Sequence, residues 1–66
     1  MKTIKGVDPL LRKPAVLEAT GLSSATLHRI LRTREFPAPV RITSRTLGWK
    51  ASEIQAWIDS RPTAAA

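Results

Sequence analysis

Apolar positions change their spacing along the chain, and the changes divide it into elements. Between residues 14 and 20, Val16, Leu17 and Thr20 recur on one helical face. Pro14 suits the first position of that helix, where its missing N–H has no intrahelical partner anyway. Over residues 24–34, Leu27, Ile30 and Leu31 gather on one side at about 100° per residue, with Thr26 at the margin. Ala25, Arg29 and Arg32 gather on the opposite side, flanked by His28 and Thr33. Phe36-Pro37-Ala38-Pro39 is expected to stop this second helix, and the period then becomes two. Val40 and Ile42 alternate with Arg41 and Thr43. After a polar Ser44-Arg45 turn, Leu47 and Trp49 alternate with Thr46 and Gly48, which predicts a β-hairpin. Gly48 inside a strand predicts close approach of another element. Helical spacing returns at Lys50-Ala51, with Ile54, Trp57 and Ile58 as an apolar stripe, and runs to about Ser60 before Arg61-Pro62.

The junction between the first two helices carries the most specific signals. Gly21 can adopt the left-handed backbone that closes a helix. Ser23 is a good N-cap for the next one. Leu22 and Leu27 have the spacing of a hydrophobic staple, which sets the angle of entry. A turn of this kind lets the second helix stand proud of its support. Leu10-Leu11-Arg12 admits two readings, a short strand or the lead-in to the first helix. Residues 1–8 are expected to be a flexible arm, 9–61 one domain, and 62–66 a frayed tail. Helix, tight turn, helix, hairpin, helix defines a mainly α fold with a small β-hairpin, the winged helix-turn-helix.

Size and charge narrow the function. A chain of 66 residues buries only about 60% of its unfolded surface, which leaves no room for a deep cleft between two lobes. Without cysteine it has neither disulfides nor thiolate metal sites, and one histidine cannot make a metal site alone. Eleven Lys and Arg against five Asp and Glu give a net charge of +6, the electrostatic footprint of a nucleic-acid binder. No apolar run is long enough to span a bilayer, and Met1-Lys2-Thr3-Ile4-Lys5-Gly6 is no secretory signal. A cytoplasmic, nucleoid-associated protein is expected. The acids Asp8, Glu18, Glu35, Glu53 and Asp59 show no paired-carboxylate pattern, no nucleophile-elbow motif surrounds a serine, and the glycines form no phosphate loop. No enzyme and no cofactor are expected.

Candidate contacts with DNA follow from the second helix and the hairpin, and each has a plainer counterpart. Arg29 and Arg32 suit bidentate contacts to guanine, or phosphate contacts that read nothing. Ser23, Ser24 and Ala25 open the helix, where Ser24 is either a DNA contact or simply a favourable first-turn residue. His28 is a groove or backbone contact; with no designated partner it is weak evidence for catalysis or a pH switch. Ser44 and Arg45 at the hairpin tip reach a neighbouring backbone or minor groove, or lie in a solvated loop. Arg41, read as outward-facing, and Lys50 would flank the backbone. Trp49 and Trp57 are spaced as core residues rather than as a stacking platform.

The residues also carry a family resemblance. Leu11-Arg12-Lys13-Pro14-Ala15-Val16-Leu17, Thr20-Gly21-Leu22-Ser23, Thr26-Leu27-His28-Arg29, Phe36-Pro37-Ala38-Pro39-Val40-Arg41, Gly48-Trp49-Lys50 and Ser52-Glu53-Ile54-Gln55-Ala56-Trp57-Ile58 resemble the AlpA family in order and spacing. That family consists of small prophage regulators similar to excisionases and to the head domain of MerR-type regulators. The resemblance implies a sequence-specific double-stranded DNA-binding regulator. It also admits an excision factor that bends DNA for an integrase. Unlike MerR-type regulators, this sequence has no long C-terminal helix for a coiled-coil dimer; a monomer that binds DNA cooperatively is expected. A basic adaptor that binds an integrase or RNA polymerase subunit is the reading from another class.

Overall fold

A computed structural model of the protein describes residues 6–64. Within them the elements follow in the order β1 (Leu10–Leu11), α1 (Lys13–Thr20), α2 (Ser24–Arg32), β2 (Val40–Arg41), β3 (Leu47–Lys50) and α3 (Ala51–Asp59). Residues 1–5 of the expected arm and 65–66 of the expected tail lie outside the described residues. Leu10-Leu11 is a strand, the first of the two readings the sequence admits. It pairs antiparallel with β3, Leu10 opposite Lys50 and Leu11 opposite Trp49. β2 pairs with the other edge of β3, Val40 opposite Gly48 and Arg41 opposite Leu47. β3 is therefore the central strand of three.

This register corrects the sequence reading of the hairpin. Directly paired residues share a sheet face and neighbours along a strand alternate. Arg41, Leu47, Trp49 and Leu11 thus share one face, and Val40, Gly48, Lys50 and Leu10 the other. Arg41 is itself exposed although it shares the sheet face of buried Trp49. Gly48 lets the strands close up: a Cβ there would lie 2.7 Å from Ile42 Cδ1 and 3.2 Å from the Leu11 carbonyl oxygen. The turn falls at Ser44-Arg45 as expected. The Ile42 amide donates to the Thr46 carbonyl at 2.8 Å, and the Arg45 amide to Thr43 Oγ1 at 3.2 Å.

Val16, Leu27, Phe36, Trp49 and Ile54 form the buried core, one from each helix, one from β3 and one from the segment after α2. Leu22 and Leu31 pack against it, so the expected staple, Leu22 with buried Leu27, lies within one cluster. Phe36 meets the edges of two indoles, Trp49 at 6.4 Å and 73° and Trp57 at 4.8 Å and 63° between rings. Both indole N–H groups donate to carbonyls of the segment after α2: Trp49 to Pro37 and Trp57 to Glu35, each at 2.9 Å. Burying indoles this way leaves no buried side-chain polar atom unpartnered among the described residues.

The helix ends have separate causes. Gly21 takes φ +76° and donates to the Leu17 carbonyl at 2.8 Å, closing α1. α2 ends at Arg32, two residues earlier than the sequence predicts, and Phe36-Pro37 does not stop it. The stop is Arg34, a non-glycine residue at φ +62°. The Glu35 amide then donates to the Ile30 carbonyl at 2.9 Å and the Arg34 amide to the Leu31 carbonyl at 3.3 Å, a Schellman arrangement without its usual glycine. The start of α3 is capped from far away. No side chain at Lys50 caps it; instead Asp8 Oδ1 accepts from the Ser52 amide at 3.0 Å and Asp8 Oδ2 from the Ser52 hydroxyl at 2.5 Å. The Ala51 amide donates to the Pro9 carbonyl at 2.8 Å.

Two stability predictions follow from these ends. Arg34→Gly should stabilise the fold by about 1 kcal/mol, because a left-handed L-residue costs about 1–2 kcal/mol and glycine gives back part of that in backbone entropy. Thermal melting at neutral pH reads the gain; a variant melting below the parent would show that the Arg34 side chain contributes more than its backbone costs. For Asp8, the hydrogen bonds from the Ser52 hydroxyl and amide, with a smaller contribution from the Lys50 charge, hold the carboxyl below its ordinary 3.8. A depressed folded-state value means that its contribution is full above that ordinary value and is lost as pH falls through the folded one. The melting difference between parent and Asp8→Asn should therefore shrink on acidification below about pH 4; a pH-independent difference would contradict this role.

Candidate nucleic-acid interface

α2 divides cleanly between core and solvent. Leu27 is 1% exposed, and Ile30 and Leu31 pack beside it. On the other side Ala25, His28, Arg29, Arg32 and Thr33 line one shallow depression, and Ser23, Ser24, Ala25, His28, Arg29 and Arg32 are all exposed. Arg29 and Arg32 also lie in the last turn, where a positive charge complements the helix dipole. Their position is thus favourable in the free protein as well. Ser23 has a structural role, since its Oγ accepts from the Thr26 amide at 3.2 Å and donates to Thr26 Oγ1 at 2.9 Å. Ser24 has no such bond and keeps its hydroxyl at the exposed start of the helix.

A second depression, a cleft of about 330 Å³, separates α2 from the hairpin, which forms the wing. His28 and Leu31 line it from α2, Arg45 and Leu47 from the wing, and Arg12 and Lys13 from the start of α1. Lys13 Nζ lies 2.9 Å from His28 Nε2. An ammonium has no lone pair, so it donates and Nε2 accepts. At the wing tip Arg41 Nη1 donates to the Ser44 carbonyl at 3.0 Å, which braces the turn that carries Arg45. The structure therefore brings His28 of α2 and Arg45 of the wing to one cleft. Lys50 stands apart, on the opposite sheet face from Leu47 and Trp49 and beside Asp8.

Charge follows the same division. Among the described residues no carboxylate lines either depression, and none of the five acids falls between residues 36 and 52. Arg12 and Lys13 are absent from the site that the sequence predicts. A signal for them exists nonetheless: two cations at the start of a helix oppose its dipole, a placement that local helix energetics disfavours. Trp49, 4% exposed, offers no face to a base. Trp57 is half-buried, and the Arg61 guanidinium lies 4.2 Å from its ring centre. Among the described residues no group of His, Cys, Asp or Glu could hold a metal ion, and no helix is long and apolar enough to cross a membrane.

Two helices joined by a three-residue turn, a two-stranded wing and a closing helix define a winged helix-turn-helix protein. Residues 9–62 match the family described as the prophage CP4-57 regulatory protein, AlpA, and the chain belongs to that family. Over 54 residues it is 37% identical to the uncharacterised protein ORF88 of Enterobacteria phage P4. That alignment covers 82% of this chain and 61% of the phage protein, so the chain spans about three-fifths of that relative's length. Over 58 residues it is 31% identical to the DNA-binding transcriptional activator AlpA of Escherichia coli K12, covering 79% of this chain and 83% of that protein. No solved structure matches the chain.

The two serines at the start of α2 make a direct comparison. Ser23→Ala should cost about 1 kcal/mol of stability through loss of the cap, whereas Ser24→Ala should leave the melting temperature unchanged. Equal melting temperatures for the two variants would remove the capping role from Ser23.

Proposed function

We propose that the protein is a sequence-specific double-stranded DNA-binding regulator of a prophage. In this reading α2 enters a major groove with Ser24, Ala25, His28, Arg29 and Arg32 toward the bases. The wing tip at Ser44-Arg45 lies on the adjacent backbone or minor groove, with Arg41 bracing it. The observation that carries the reading is the exposed, carboxylate-free basic face of α2 beside an equally basic wing. A helix of this kind has the width of a major groove, and arginines at its surface match both guanine edges and phosphates. The name of the Escherichia coli relative, a DNA-binding transcriptional activator, supports a transcriptional role ahead of excision.

One module of this size reads only a few base pairs. The proposal is therefore a monomer in solution that binds cooperatively to adjacent sites, with an integrase or RNA polymerase as a neighbouring partner. Lys50 would have at most a peripheral part, because it lies on the sheet face away from the cleft.

Selection of random duplexes on the immobilised protein at physiological salt, followed by sequencing, tests the reading. A recurring short motif is the expected result, and Arg29→Ala should then cost about 1–3 kcal/mol and relax preference at one position of it. Recovery without any motif would leave only nonspecific charge attraction and favour a basic adaptor that binds an acidic protein.

A further inference from the structure

The sugar–phosphate backbone of a duplex forms the ridge between a major groove and the neighbouring minor groove. A protein with a helix in one groove and a wing on the next must straddle that ridge. The space between helix and wing is thus where the backbone has to pass. In this protein that space is the cleft between α2 and the hairpin, and its lining has two parts. Leu31, Pro39 and Leu47 give it an apolar floor. Arg12, Lys13, His28 and Arg45 give it a basic rim, contributed by the start of α1, by α2 and by the wing.

The charge of the rim is not balanced within the free protein. Lys13 Nζ donates to His28 Nε2 at 2.9 Å, but among the described residues no carboxylate lines the cleft to offset the Arg12, Lys13 or Arg45 charge. Arg12 occupies the N-cap position of α1 without capping it, and no acid stands in the first turn. Helix starts favour Ser, Thr, Asp or Asn and a negative charge. Local rules broken together at one surface mark a site where binding, rather than folding, sets the residue choice.

We propose that this cleft clamps the sugar–phosphate backbone of one DNA strand. Arg12 and Lys13 neutralise phosphates on the α1 side, Arg45 neutralises one on the wing side, and the apolar floor meets the deoxyribose rings. The inference rests on the DNA-binding function proposed above and adds to it two residues that supply affinity without reading sequence.

The salt dependence of binding to a random-sequence duplex tests it. Each phosphate neutralised contributes about 0.9 to the slope of log affinity against log salt. Arg12→Gln and Lys13→Gln should each flatten the slope by about one while leaving the ratio of motif to random affinity unchanged. Lys13→Arg should keep the parent slope, and Arg34→Gln, which lies outside this cleft, should also keep it. Melting temperatures within a few degrees of the parent confirm that the Gln variants are folded. A parent that binds duplex with slopes unaffected by both Gln changes would overturn the clamp and leave the DNA-binding function standing. A parent that binds no duplex would remove the function itself, and the clamp with it.

Discussion

The angle between α2 and the wing depends on a short irregular segment held by two tryptophans. Residues 33–39 join α2 to β2 without regular structure, so nothing in their own backbone fixes their course. Trp49 of β3 and Trp57 of α3 each donate an indole N–H to a carbonyl of this segment, Pro37 and Glu35, while Phe36 between them is buried against both rings. The part-buried Trp49 bond counts for more than its net value of about 0.5–1.5 kcal/mol, since a buried donor or acceptor left unpaired costs about 1–3 kcal/mol; the exposed Trp57 bond adds no more than its net value. Any shift of the segment would break both bonds and open the core at once. A fold whose described residues include only five buried apolar side chains therefore obtains a fixed spacing between two surface elements from three aromatic rings.

The same arrangement separates packing from recognition. On α2, Leu27, Ile30 and Leu31 join the core while Arg29 and Arg32 remain in solvent. On the sheet, Trp49 is buried whereas Arg41 on the same face extends past the core's edge to brace the wing tip. Surface side chains are free to change without loss of the fold, because the residues that position them are different ones. Ser23 is the exception among the candidate residues: its hydroxyl is committed to the cap, so its chemistry is shared between folding and whatever lies near the start of α2.

Much of this was legible in the sequence because its signals are local. Gly21, Ser23 and the Leu22–Leu27 spacing act within one turn of chain, and the turn forms where they place it. The alternation that predicts the hairpin is equally local. The register is not, since Val40 and Ile42 fall at even positions and Leu47 and Trp49 at odd ones, while pairing joins even to even. Either set could have faced the core, and the strand at Leu10-Leu11 decided it by pairing beside Trp49. Arg34 gave no sign of a left-handed backbone, because the residue type that ordinarily signals it is absent. The cleft likewise needed tertiary structure: Lys13 and His28 are 15 residues apart and share no sequence pattern.

The contact between Asp8 and Ser52 spans 44 positions, and β1 is completed only by β3. Early and late segments of the chain are thus neighbours in space. Loop closure over that distance has to precede the contacts that reward it, so during synthesis the helix-turn-helix can gather its own local structure while the sheet waits for residues 47–50. A nascent chain stalled before Trp49 would carry the basic helix without the platform that orients it. The exposed face of α2 gains its fixed relation to the wing only once residues 47–50 have joined the sheet.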